Sequence, residues 1–149
     1  MRFRRNEILP AGSPAPPIEG LTAKGPLLVV FFKITCPVCQ FTLPFLNRIH
    51  RAGTLPVFGI SQNDDADTRE FVHEFGIEYP MVLDPEGADF PASNAYGIAS
   101  VPSLFLIGQD GKIERSAEGW SRKEMEWLGV RAGATVVRQD ENVPEWKAG

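Results

Sequence analysis

The chain has 149 residues, a formal net charge of -4, and 43% hydrophobic against 23% charged residues. That is the size and make-up of one globular domain able to bury a core without metals or extra crosslinks. The acidic balance argues against a nucleic-acid partner, which calls for a basic face, and no apolar run approaches the length of a membrane span.

Met1-Arg2-Phe3-Arg4-Arg5 looks like the charged start of a signal peptide, but Asn6, Glu7 and Pro10 follow where an apolar stretch is needed. The chain therefore reads as cytoplasmic. In that compartment two cysteines spaced C-x-x-C point to catalysis or metal binding rather than to a structural staple. Residues 1–16 read as an extended arm, because Pro10-Ala11-Gly12-Ser13-Pro14-Ala15-Pro16-Pro17 is too proline-rich for a helix or a central strand. Ile18 to Leu21 is expected to form a short edge strand.

After the turn signal Lys24-Gly25-Pro26, the continuous apolar run Leu27 to Phe32 suits a central strand covered on both faces. A helix should follow at the cysteines. Phe41, Phe45 and Ile49, at i, i+4 and i+8 with Val38 and Leu46 beside them, predict its buried stripe. His50 and Arg51 suit its negative end, Gly53 stops it, and Pro44 falls inside it.

Pro56 to Ile60 reads as a second strand. Asp67 and Glu70, at capping-box spacing, predict a helix that carries Phe71, Val72 and Phe75 and ends at Gly76. Pro80 to Leu83 is a further short strand, and residues 86–97 a loop or short helix. Ser103–Ile107 and Lys112–Ser116 flank the hairpin signal Asp110-Gly111. Ser121 and Glu124 form another capping box before a last helix. Residues 134–149 lack periodicity and read as a tail wrapping the surface. The order predicts one α/β domain over 1–149, a mixed central sheet flanked by helices.

The placement of the cysteines carries more than their spacing. If Cys36 is the N-cap, Pro37 is N1, where proline is favoured, and Cys39 is N3. The free N–H groups of the first turn and the positive helix end then face the Cys36 sulfur and favour its thiolate. Cys39, one turn later among Val38, Phe41 and Leu43, is expected to be buried and to act as the resolving thiol.

In these features the chain resembles the thioredoxin superfamily, and within it the redoxins of the AhpC/TSA and TlpA-like type. Val29-Val30-Phe31-Phe32 before the C-x-x-C resembles the strand leading to the active site, and Pro44 the kink proline of its helix. Gly97 to Leu106 resembles the segment with the cis-proline, Gly108 to Ile113 the hairpin after it, and Ser61 to Tyr96 the redoxin insert between the second core strand and the cis-proline strand. The resemblance covers roughly residues 17–130. It implies a thioredoxin fold and a thiol–disulfide oxidoreductase with Cys36 and Cys39 as catalytic residues, flanked by Thr35, Pro37 and Val38. It also implies a cis Val101–Pro102 bond whose backbone pairs with an extended substrate segment. Expected partners are protein disulfides or dithiols and an electron donor that the residues do not name; no cofactor or metal is expected. The departures are Thr35 where thioredoxins carry Trp, and Val30 and Thr42 where a buried acid is usual.

Three alternatives bear weighing. A zinc site would need His50 and His73, which fit no usual spacing with the cysteines. A thiol peroxidase would need P-x-x-x-T-x-x-C, but with Cys39 in the cysteine slot the threonine slot holds Cys36 and the proline slot Phe32. A non-enzymatic module binding partners through the Val101-Pro102 groove is the third. Asp64-Asp65-Ala66-Asp67 reads as a solvated loop with a helix cap rather than a cation site, and Trp120, Trp127 and Trp146 read as packing residues.

Overall fold

The computed structural model describes residues 7–149; the charged start Met1–Arg5 and Asn6 lie outside the described residues. At the centre lies β1 (Leu27–Phe32), with all six residues buried. It pairs in parallel with β2 (Val57–Ser61) and antiparallel with β4 (Ser103–Ile107), so that Val30 stands between Gly59 and Leu104. β3 (Met81–Leu83) and β5 (Ile113–Glu118) complete a mixed sheet of order β3-β2-β1-β4-β5. Full burial explains the unbroken apolar run: a strand covered on both faces has no position to spare for a polar side chain.

The two adjacent phenylalanines show the layers, because successive strand residues face opposite sides. Phe32 meets Phe71 of α2 (Asp65–Phe75) with ring centroids 5.0 Å apart. Phe31 meets Tyr96, just after α3 (Pro91–Ala95), at 5.1 Å, and Phe105 edge-on at 5.7 Å. α1 (Pro37–Ala52) is tied to the end of α2 by Asn47, which donates to the Gly76 carbonyl and accepts from the Glu78 amide. α4 (Arg122–Ala132) packs against α1. Burying each large apolar side chain of β1 contributes about 1.5–3 kcal/mol.

Four local expectations are corrected. Ile18–Leu21 is a turn closed by Leu21 N–H on the Ile18 carbonyl (3.0 Å), not a strand, because Gly20 takes φ +88° and turns the chain away. α2 begins a turn earlier than Asp67 and Glu70 suggest: Asp64 is the cap and accepts from the Asp67 amide at 2.8 Å. The buried stripe of α1 is Cys39, Thr42, Leu43, Leu46, Asn47 and Ile49, while Phe41 is 37% exposed. Phe41 and Phe45 belong to a flank, meeting the buried Trp120 edge-on and tilted at 4.7 and 4.9 Å, with the Arg48 guanidinium over Phe45. Hydrophobicity alone could not distinguish that flank from the core face, because Trp120 arrives from a distant part of the chain. The Ser121–Glu124 box forms in half: Ser121 accepts from the Glu124 amide, while the Glu124 carboxylate is held by Arg115.

The segments flanking the sheet, residues 7–17 and 133–149, are both fastened. Gly12 and Ala15 donate to the Ile113 and Gly111 carbonyls, laying the arm against the start of β5. Beyond α4, Val136 is buried, the Val136 carbonyl and the Glu141 carboxylate both accept from Arg48, and Trp120 Nε1 donates to the Pro144 carbonyl at 2.7 Å. β7 (Trp146–Lys147) then pairs antiparallel with β6 (Trp120–Ser121).

The Arg48 guanidinium, with the Arg138 amide, pulls the Glu141 carboxyl from 4.5 down to about 2. A carboxyl lowered on folding contributes stability above pH 4.5 and loses it as pH falls toward 2. The pair is partly solvated, so Glu141→Gln should cost about 1 kcal/mol at neutral pH. That corresponds to a melting temperature lower by about 3 °C. Calorimetry at neutral pH and near pH 2.5 checks it: the difference between the two proteins should shrink as the carboxyl protonates.

Candidate active site

β1 ends at Phe32 and the chain crosses to α1 in the four residues Lys33–Cys36. This crossing is clamped at Ile34, whose amide donates to Asn63 Oδ1 (3.0 Å) and whose carbonyl accepts from Gln40 Nε2 (2.8 Å). Cys36 N–H reaches back to the Lys33 carbonyl at 3.3 Å, and Gln62 N–H to Phe32 at 3.1 Å. Asn63 and Gln40 escaped the reading of the sequence. Their positions, just past β2 and in the first turn of α1, carry no pattern that marks them in one chain.

Cys36 is the N-cap of α1, with extended backbone angles, and Pro37 follows as the first helical residue. Its sulfur accepts from the Cys39 amide at 3.2 Å. This is an otherwise unpaired donor of the first helical turn, aimed where negative charge on sulfur is stabilised. On its other side, Cys36 Sγ donates to the Val101 carbonyl at 3.4 Å. The Val101–Pro102 peptide is cis, as is Gly25–Pro26. Two stretches 65 residues apart thus converge on one sulfur. Both cysteines are free thiols.

The two thiols differ in surroundings. Cys36 is half-buried, with exposed Thr35 and Pro37 on either side and half-buried Val38 beyond. Cys39 has no exposed surface and lies in the core with Leu43. Burial pushes the Cys39 thiol far up, and hydrogen bonding with Cys36 adds to this; the Lys33 backbone and the more distant Lys33 charge pull weakly the other way. Among the described residues, no acidic side chain contributes to its shift. Val30 is fully buried, and Thr42 is buried with a hydroxyl that has no hydrogen-bond partner among the described residues. Tyr79, whose hydroxyl donates to the Leu43 carbonyl, is itself held well above its usual range by burial.

Between Lys33 and Val101 opens a cavity of about 180 Å³, also lined by Gln62, Ser93, Asn94 and Ile98. A larger one of about 600 Å³, at the β3 edge around Ile18 and Val82, shares no lining residue with it. Lys33 is exposed at the rim. His50 and His73 stand in the last turns of α1 and α2, and among the described residues no three His, Cys, Asp or Glu side chains converge as metal ligands would. Among the described residues no helix is long and apolar enough to cross a membrane.

Solved structures share this fold. The thioredoxin domain of a thiol–disulfide oxidoreductase from Bacteroides vulgatus superposes with a TM-score of 0.70 at 22% identity, covering 85% of this chain and 99% of that one. A secreted disulfide oxidoreductase of Mycobacterium tuberculosis gives 0.59 at 20% identity, covering 87% and 96%. The fold is thus the thioredoxin fold. In sequence, the chain is 26% identical over 98 residues to the thiol–disulfide oxidoreductase ResA of Geobacillus thermodenitrificans, which is 63% of this chain and 55% of that protein. The chain spans little more than half the length of the curated relatives it matches first. The model of the AhpC/TSA family matches residues 18–116, from the turn before β1 into β5, and therefore takes in both cysteines and the Val101–Pro102 turn. By that match the chain belongs to the AhpC/TSA family.

Proposed function

We propose that the chain is a thiol–disulfide oxidoreductase that exchanges electrons between the Cys36–Cys39 dithiol and a protein disulfide. The observation that carries this reading is the position of Cys36 Sγ, which takes the Cys39 amide on one side and lies against the Val101 carbonyl on the other. A nucleophile at a helix end thus sits beside backbone that can pair with an extended peptide. The names of the ResA relatives agree with it.

In the reducing direction the Cys36 thiolate attacks one sulfur of a substrate disulfide. The substrate S–S bond breaks, a mixed disulfide forms, and the departing substrate sulfur takes a proton. Cys39 then loses its proton and attacks Cys36 Sγ, releasing the second substrate sulfur as a thiol. Two electrons and two protons reach the substrate, and the Cys36–Cys39 disulfide left behind must be reduced by a dithiol donor. The second thiol one turn behind the first favours this cycle over a peroxidase, in which a hydroxyl would stand where Cys36 does.

The cytoplasmic placement, and with it the reducing direction, belongs to the same proposal. The description of the Mycobacterium tuberculosis protein as secreted weighs against it. The reduction potential of the couple tests the direction: a value near roughly -270 mV marks a reductant, and one near roughly -120 mV an oxidant.

Trapping tests the roles of the two cysteines. Cys39→Ser should accumulate mixed disulfides with an oxidised protein substrate, and Cys36→Ser should accumulate none and reduce no insulin. Accumulation on Cys36→Ser alone would reverse the assignment.

The raised Cys39 thiol sets the pH dependence. Only its thiolate attacks, and below the thiol's pKa the thiolate fraction grows about tenfold per pH unit. Resolution of the mixed disulfide, followed by stopped flow between about pH 6 and 9, a range bracketing the free-thiol value, should therefore be slow near neutrality and climb throughout. A fast, flat profile would show that another group takes the proton. Thr42→Glu should raise the neutral-pH rate by placing an ionisable carboxyl one helical turn beyond Cys39.

A further inference from the structure

Residues 146–149 lie across the backbone that the proposed function reserves for substrate. Val101, Pro102 and Gly119 form one floor, joined by the Gly119 amide on the Pro102 carbonyl at 2.8 Å. A side chain on Gly149 would overlap the Val101 carbonyl oxygen, and the Pro102 nitrogen would lie 3.1 Å from its Cβ. A side chain on Gly119, which takes φ +70°, would overlap the Lys147 carbonyl and lie 3.4 Å from the Gly149 nitrogen. Two glycines thus let two stretches of backbone touch where no other residue could. The covered oxygen is the one Cys36 Sγ reaches at 3.4 Å. Among the described residues, no backbone hydrogen bond is made by the Val101 amide.

The segment has a firm root and is lightly held beyond it. Its root is fixed by Trp120 Nε1 on the Pro144 carbonyl and by the Arg122 amide on the Glu145 carbonyl at 2.9 Å. Beyond Glu145 it is held by a two-residue ladder, Trp120 against Lys147 and Ser121 against Trp146. Residues 146–149 are all exposed, with Trp146 at 62%. So short a ladder is marginal by itself and can open without disturbing the core.

We propose that residues 146–149 are an internal stand-in for the extended segment of the substrate. They occupy the strand-accepting edge at Val101 and Gly119–Ser121, and a protein disulfide reaches Cys36 by displacing them. The matching partner is an extended peptide with a small residue over Val101, since Gly149 fills that place without a side chain. This inference rests on the proposed function. It adds a selection step: a small reagent reaches the half-buried Cys36 past the segment, whereas a peptide must pair where the segment lies. A site closed in about nine molecules of ten binds about tenfold more weakly than an open one.

The test compares the full chain, a chain stopped after Glu145, and the full-length Lys147→Pro variant, whose residue 147 has no N–H for the ladder. In reduced protein, Cys36 capture is timed with an extended peptide carrying an activated disulfide and, separately, with iodoacetamide. Opening the segment should speed peptide capture about tenfold in both variants, with iodoacetamide rates changed less than about twofold. Equal peptide rates in all three proteins would overturn the proposal, and so would equal acceleration by both reagents, which would mean general exposure of the sulfur. Single-turnover capture needs no catalytic cycle. Insulin reduction run in parallel therefore judges the proposed function separately: its absence from every protein would defeat that reading while the capture ratio still reports on the segment.

Discussion

The molecule is organised by one constraint: a strand buried on both faces delivers the chain to the start of a helix within four residues. Because Phe31 and Phe32 are locked between opposite layers, the end of β1 has no freedom to slide or turn. Lys33–Cys36 must then span a fixed gap, and the clamp on Ile34 by Asn63 and Gln40 removes what play remains. The sulfur of Cys36 is placed by core packing as much as by its own contacts. A cavity opened under β1 would be felt at the cysteine, since close-packed interiors transmit strain.

On that frame the two thiols acquire opposite characters from one turn of helix. The N-cap position gives Cys36 a backbone donor and an open side. The N3 position turns Cys39 inward, where burial penalises its charged form. No special residue distinguishes them; the direction in which helical side chains project is enough. The buried Thr42 hydroxyl, without a partner among the described residues, is a polar group on α1 that packing alone does not explain.

Local chemistry made much of this legible in the sequence. The run Leu27–Phe32, the glycine stops at Gly53 and Gly76, the Asp110-Gly111 turn and the Ser121 cap all depend on residues near one another in the chain, and each element stands where they place it. What escaped depends on distant partners. Phe41 and Phe45 read as core until Trp120, some eighty positions on, shows that they form a flank. Residues 134–149 read as an aperiodic tail because their order comes from Arg48, Trp120 and Gly119, not from any repeat of their own. At the cysteines, the N-cap and the cis Val101–Pro102 turn were readable from spacing and resemblance. The clamp on Ile34 was not, since an asparagine after a strand has many other uses.

The arm along β5 has a consequence for how the molecule behaves in a crowd. An open sheet ends in two rows of unpaired backbone groups, each a template on which another chain can crystallise as a further strand. Here Gly12 and Ala15 pair with Ile113 and Gly111 at the start of β5, and the opposite rim is β3, three residues long. The start of one border is taken and the other is short, which leaves less length on which fibrous growth could take hold. The fold thus carries two devices, an arm and a short strand, that curb edge-to-edge growth of the sheet.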